Sequence, residues 1–208
     1  MSFTDSLYQL GTPILNDILH HPFISDMKNN QLNQQSAKDY VEQDMLYLTA
    51  YTRGYIEALH QAEKEEDILF LAHQVIDSVH GEDVPHRILY DGPLEISHIE
   101  KHLVTEQYMN HIYRSVQQNS FIAILTTMLP CSWTYFEIAS YLLGQMDEKN
   151  PLRNWASFYF DDGNLHKMND IINREAKQCS HECLKDLQQR FIESCRFEYL
   201  FWNQSYLK

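Results

Sequence analysis

The sequence predicts an all-α protein: one domain, a helical bundle of roughly six or seven main helices with short ones between them. Three observations carry that prediction. Apolar residues recur at three- and four-residue spacing along most of the chain, and no run shows the strict two-residue alternation of a half-buried strand. Six glycines and six prolines are few for 208 residues, which disfavours a sandwich or barrel needing a turn about every ten residues. A composition of 44% apolar and 12% aromatic residues supplies a full core at a length that suits a single domain.

The first helix is expected to be capped by Thr4 or Ser6. It carries Leu7, Leu10, Ile14, Leu15 and Ile18 at helical spacing, with Pro13 marking a bend. His20-His21-Pro22-Phe23 breaks it, and a short helix with Phe23, Ile24 and Met27 follows. After the polar loop Asn29–Asn33, Ser36 is expected to cap a long tyrosine-rich helix running to about Glu63. An acidic turn, Glu63-Lys64-Glu65-Glu66-Asp67, leads to a periodic segment from Ile68 to Tyr90, kinked at Pro85. Asp91-Gly92-Pro93 is a strong turn signal. Two segments, about Glu95 to Val116 and Phe121 to Leu143, then flank Gln117–Ser120. A loop from Gly144 to Pro151 precedes a short helix, Leu152 to Phe160, and Asp161–Asn164 reads as a turn. Segments from Leu165 to Lys177 and from Ser180 to Tyr206 complete the bundle. There is no internal repeat and no low-complexity segment.

Sixteen basic against 29 acidic residues give a formal net charge of −13. Such a chain is repelled by nucleic acid and by anionic lipid unless a basic patch is concentrated somewhere, and none is visible. The N-terminus, Met1-Ser2-Phe3-Thr4-Asp5-Ser6, shows no basic region followed by an apolar one. No apolar stretch is seen to approach the ~20 residues that span a bilayer. The expectation is a cytoplasmic protein with no nucleic-acid or membrane partner, whose four cysteines are reduced thiols.

The stretch Met128–Glu137 holds the most informative thiol. Cys131 follows Pro130 inside a helical pattern, and Tyr135 lies one turn on, on the same face. Proline removes a backbone donor and crowds the preceding turn, so a kink or restart is expected. A thiol just past a restart feels the positive end of a helix dipole, which favours thiolate. The plainer alternative is a small buried hydrophobe.

Carboxylates sit in two other apolar helices. Tyr40, Asp44, Tyr47 and Tyr51 make one stripe at spacings of four, three and four. A buried Asp there needs partners or protonates; a structural Asp held by the tyrosines is the competing reading. Phe197-Glu198-Tyr199-Leu200-Phe201-Trp202 embeds one acid in aromatic surroundings, with Phe201 on its face. That setting raises a carboxyl pKa and suits proton donation near neutrality, although a half-exposed Glu on a terminal helix fits the spacing equally. Tyr108 and Tyr159 add phenols. Together these groups suit a flat nitrogen heterocycle: aromatic faces sandwich it, carboxylates bind its nitrogens, and a thiol attacks a ring carbon.

Two other constellations compete. Glu82 and His86 stand four apart, a metal-chelating spacing, and Asp44, Asp162, His166 and Glu198 could complete a non-haem iron site on the same bundle. Pro85 distorts the helix between the two supposed ligands. Cys179, Cys183 and Cys195 lack a zinc-ribbon spacing and read as buried or surface thiols. The 11 histidines are scattered, and neither a Ser-His-Asp arrangement nor a phosphate-cradling glycine loop is present.

Five segments in order carry a resemblance: Tyr40–Leu48, Tyr108–Val116, Leu129–Glu137, Trp155–Tyr159 and Phe197–Trp202. In these and in its overall hydrophobic pattern, the chain resembles the thiaminase II (TenA-like) aminopyrimidine aminohydrolases. The resemblance implies a haem-oxygenase-like bundle that assembles as a homotetramer. It implies hydrolysis of 4-amino-5-aminomethyl-2-methylpyrimidine to hydroxymethylpyrimidine in thiamin salvage, slower cleavage of thiamin, and no metal or organic cofactor. Carried across by matching positions, Cys131 corresponds to the nucleophile, Glu198 to the acid and Asp44 to the pyrimidine anchor. Tyr47, Tyr108, Tyr135, Tyr159 and Phe201 correspond to the substrate-binding lining. Outside that class stand an iron oxygenase on the same bundle and a non-enzymatic regulatory protein.

Overall fold

In a computed structural model, which describes residues 1–94, 99–161 and 163–207, the bundle is organised on one apolar helix. Among the described residues ten α-helices follow in chain order: α1 (Phe3–Leu19), α2 (Pro22–Lys28), α3 (Gln34–Gln61), α4 (Glu65–His80), α5 (Asp83–Leu89), α6 (Leu103–Gln117), α7 (Phe121–Gln145), α8 (Arg153–Tyr159), α9 (Gly163–Ala176) and α10 (His181–Gln204). No strand occurs among the described residues. Helix α7 packs against α1, α2, α3, α6, α8, α9 and α10, while α4 lies on the outer side of α3.

Helix α7 is so apolar because it meets protein on most sides. Ile124, Leu125, Met128, Leu129, Ile138, Ala139 and Leu142 are wholly buried. By length and composition alone it could cross a membrane, contrary to the sequence expectation that no stretch qualifies. In the fold, 72% of its apolar window is buried inside the bundle. The core beside it is aromatic: Tyr40 stacks on Trp202 at 4.7 Å between ring centroids, and Trp155 and Phe23 pack against the same indole. Gly11 lets α1 come in close. A Cβ there would lie 2.7 Å from Trp133 Cζ3 and 2.9 Å from Phe191 Cε1.

Several local expectations are corrected. The α7 helix neither stops nor restarts at Pro130; one α-helix runs from Phe121 to Gln145. Neighbouring helices hold the carbonyls around the proline. The Ser194 hydroxyl of α10 donates to the Thr127 carbonyl at 2.8 Å, and the Tyr51 hydroxyl of α3 reaches the Met128 carbonyl at 3.5 Å. Tertiary packing thereby overrides the breaking tendency of proline.

The 68–90 segment, in contrast, breaks earlier than Pro85. Gly81 closes α4 and Glu82 opens α5, placing Pro85 in a first turn, where backbone N–H groups have no intrahelical acceptor. Caps also move. Ser2 and Asp5 form a capping box on α1, so Thr4 and Ser6 are interior. Asn33 caps α3. Ser36 instead ties down the C-terminal segment, its hydroxyl donating to the Leu207 carbonyl and accepting from the Leu207 N–H. The helix expected from residue 95 begins at Leu103; residues 95–98 lie outside the described residues. Helix α9 already starts at Gly163, within the expected 161–164 turn.

Candidate active site

Helices α3, α4, α7, α8 and α9, with the α4–α5 junction, enclose a cavity of about 390 Å³. Its wall includes Asp44 and Tyr47 from α3, Glu82 from the junction, Cys131 and Tyr135 from α7, and Tyr159 from α8. The four- and three-residue spacings deliver these groups. On α3 the stripe predicted from sequence turns one face inward, and on α7 Cys131 and Tyr135 are one turn apart. Five of the eight predicted site residues thus line one chamber.

The other three form the layer behind it. Tyr47 packs on Tyr108 at 4.7 Å and on Phe201 at 5.7 Å between ring centroids. The Tyr108 hydroxyl donates to Glu198 Oε1 at 2.5 Å, and Thr134 of α7 reaches Glu198 Oε2 at 3.5 Å. Glu198 is 3% exposed. Burial, reinforced by the charge of Asp44 and only partly offset by the Tyr108 hydrogen bond, pushes its carboxyl up to about 8. It is a neutral acid at pH 7, as its aromatic setting predicts.

Cys131 departs from expectation. It lies in the middle of a continuous helix, well past the first turn of α7, so the N-terminal dipole of that helix does not lower its pKa. Burial in the cavity wall pushes the thiol well above its ordinary value, and the negative charges of Glu198, Asp44 and Glu82 push further in the same direction. The nearby Tyr47 hydroxyl offsets part of this. The resting group is therefore a thiol, and thiolate can form only as its proton is taken.

Asp44 is not left bare. His86 of α5, itself buried, bonds its Nε2 to Asp44 Oδ2 at 2.8 Å. Burial alone would lower the imidazole pKa, but the Asp44 bond and the charges of Asp44, Glu82 and Asp83 outweigh it and the net shift is upward. Glu82 forms no side-chain cap on α5. It turns inward and accepts the Tyr159 hydroxyl at 2.5 Å on Oε2. Burial and the Asp44 charge raise its carboxyl to about 7. The tyrosine rings complete the walls: Tyr135 meets Tyr159 edge-on at 4.9 Å, its hydroxyl pairs with that of Tyr40, and Tyr51 bonds Ser132 at 3.1 Å.

The iron alternative is partly realised in geometry. Asp44, Glu82 and His86 offer ligand atoms within 4.8 Å of one another. That group holds one imidazole, and among the described residues neither His166 nor Glu198 joins it; Asp162 lies outside them. Its members are engaged with each other and with Tyr159, which makes the set a hydrogen-bonded acid–imidazole network. The Glu82–His86 spacing was the signal for this network, although the sequence offered it only as a competing metal-chelating pair. The remaining cysteines stand apart: Cys179 and Cys183 have sulfurs 2.9 Å from each other at the start of α10, and Cys195 is a buried residue of α10. None of them lines the cavity.

Comparison with known proteins places this geometry. The model of the TENA/THI-4/PQQC family matches residues 9–208. An aminopyrimidine aminohydrolase from Staphylococcus aureus (strain NCTC 8325 / PS 47) is 27% identical over 217 residues, covering 99% of this chain and 94% of that protein. Among solved structures, a TenA homologue from P. horikoshii OT3 superposes with a TM-score of 0.84 at 28% identity, covering 99% of this chain and 98% of the other. A Shewanella denitrificans domain with a heme oxygenase-like fold gives 0.69 at 13% identity, over 97% and 91% of the two chains. The predicted haem-oxygenase-like bundle is the observed fold.

Proposed function

Because the chain belongs to the TENA/THI-4/PQQC family, we propose that it is an aminopyrimidine aminohydrolase of thiaminase II type. Its substrate is 4-amino-5-aminomethyl-2-methylpyrimidine, its product hydroxymethylpyrimidine, and its role thiamin salvage, with slower cleavage of thiamin itself. The observation that carries this reading is the meeting of Cys131, Asp44 and three tyrosines in one chamber, with the protonated Glu198 directly behind.

The chemistry follows from those groups. Tyr47, Tyr135 and Tyr159 offer ring surfaces to a flat heterocycle. Asp44, steadied by His86, receives the exocyclic amino group. Glu198 donates its proton to a ring nitrogen, which makes the ring carbons electrophilic. The Cys131 sulfur then bonds to a ring carbon and its proton replaces the one Glu198 has given, so the site's net charge does not change. The electron-rich adduct expels the amine from the methylene, water adds there, and loss of the thiol restores the ring. The raised thiol pKa fits such a coupled transfer, since sulfur stays neutral until the ring is activated.

Residues 1–208 act as one cytoplasmic catalytic domain, without cofactor, and assemble as a homotetramer. The exposed apolar side chains of α4, Ile68, Leu69, Ile76 and Val79, support burial of that helix between subunits. Wild-type protein should release ammonia and hydroxymethylpyrimidine from the aminomethylpyrimidine, and Cys131→Ala should bind the product without turning over. Turnover near the wild-type rate in that variant would overturn the reading.

A further inference from the structure

We propose that Glu82 is a second catalytic carboxylate of this site: it receives the ammonium of the substrate's aminomethyl arm and then takes the proton of the water that replaces it. The proposal rests on the aminohydrolase reading above and adds a role to a residue which that reading leaves idle.

Position is the first argument. Glu82 occupies the break between α4 and α5, where an N-cap side chain ordinarily turns back to its own helix, yet it makes no cap bond. It enters the cavity wall beside Asp44, Cys131, Tyr135 and Tyr159. One of its carboxylate oxygens lies within 4.8 Å of a carboxylate oxygen of Asp44. With Asp44 on the 4-amino group of the ring, the aminomethyl arm on the adjoining carbon directs its nitrogen to the next acceptor along the wall, which is Glu82. Among the described residues no lysine or arginine lines the cavity to compete for it.

Proton accounting is the second argument. Glu198 is bonded by Tyr108 and holds its proton at neutral pH. A protonated acid can activate the ring, but it cannot accept a proton from water. The titratable groups nearest Glu82 are Asp44 on α3, His86 on α5, Cys131 and Tyr135 on α7, and Tyr159 on α8; Asp77 and Asp161 also line the cavity, but both are exposed to solvent. Cys131 is bonded to the ring at that stage, and Asp44 is engaged by His86 and the amino group. The tyrosines stay protonated at neutral pH, burial having raised both, so neither can take a proton from water. Glu82, brought to about 7 by burial and by Asp44, is partly ionised at neutral pH and matched to the task. Tyr159 holds it in place.

The step balances. The C–N bond of the ammonium arm breaks and its electron pair leaves on ammonia. As the C–O bond forms, the water gives a proton to Glu82, and Glu82 passes it to the ammonia, which departs as ammonium.

The test uses Glu82→Gln in the full-length protein, where the amide oxygen can still accept from Tyr159. Hydrolysis of the aminomethylpyrimidine should fall by about 10²–10⁴-fold, the usual worth of a positioned acid–base group. Azide is a nucleophile with no proton to surrender, so added sodium azide should restore turnover and yield the azidomethylpyrimidine, identified by mass spectrometry. Cys131→Ala should give neither product. As a second variant, Glu82→Ala should recover hydrolysis on addition of formate, a small external base. Hydrolysis within threefold of wild type in Glu82→Gln, or slow hydrolysis in both variants with no rescue by azide or formate, overturns the proposal. The underlying reading fails differently: wild-type protein would then release no ammonia from this substrate.

Discussion

Replacing Glu198 with glutamine should stabilise the protein while disabling it. The carboxyl titrates at about 8 in the folded protein against an ordinary value of 4.5. Between those limits the folded state binds a proton that the unfolded state has lost, so stability declines as pH rises through the window. The penalty is absent below about pH 4.5 and complete above about pH 8. Each unit of displacement corresponds to about 1.4 kcal/mol, which makes the penalty roughly 5 kcal/mol at pH 9 and about 3 kcal/mol at pH 7. Glutamine is nearly isosteric with the protonated acid: its oxygen can accept from Tyr108, and its amide can donate to Thr134, as the acid's own proton can. The variant should therefore gain about 3 kcal/mol at pH 7, or roughly 6–12 °C in Tm at this chain length. At pH 5 the gain should shrink to less than about 1 kcal/mol. Urea unfolding at pH 5, 7 and 8.5 measures this directly, and the differences between variant and wild type cancel the contribution of Glu82. A gain equal at all three pH values, or a destabilised variant, would refute the argument that burial keeps this acid protonated.

Two further outcomes follow from the site and the core. Because burial and three carboxylates hold the Cys131 thiol well above its ordinary pKa, iodoacetamide should label it at pH 7 at least about tenfold more slowly than an exposed cysteine; rapid labelling, with a midpoint near pH 8, would contradict the assigned electrostatics. Gly11→Ala should cost about 1–3 kcal/mol despite alanine's better helix propensity, since the new methyl meets the rigid rings of Trp133 and Phe191. Its Tm should fall while ammonia release per folded molecule stays close to wild type; an unchanged Tm would mean that α1 can shift outward at no cost.

The bundle and the α3 and α7 faces of the cavity wall were legible in the sequence because helical spacing is a local signal. The α3 stripe from Tyr40 to Tyr51 and the Cys131–Tyr135 pair needed nothing beyond 3.6 residues per turn. Depth was not legible. Nothing in the spacing of Glu198 and Tyr108 says that they stand behind Tyr47, because that layer is made by the packing of α6 and α10. Pro130 misled for a related reason: the helix is held around it by residues more than 60 positions away, the Ser194 hydroxyl on the Thr127 carbonyl among them. The Glu82–His86 spacing was visible only as a competing metal-chelating pair, not as part of a hydrogen-bonded network. Once the helix breaks at Gly81, the two side chains answer to Asp44 and Tyr159, which no reading of residues 80–86 alone can supply.

Helix α3 also constrains how this gene can drift. Asp44, Tyr47, Tyr51 and Tyr55 all reach the cavity, across a span of about 16 Å along one rigid axis. A single inserted codon between Tyr47 and Tyr51 would rotate everything beyond it by about 100°, turning two wall residues away from the cavity. Viable length changes are therefore confined to the connections, around residues 62–64 and 146–152, and random insertion libraries should return a gap in tolerated sites spanning residues 44–55.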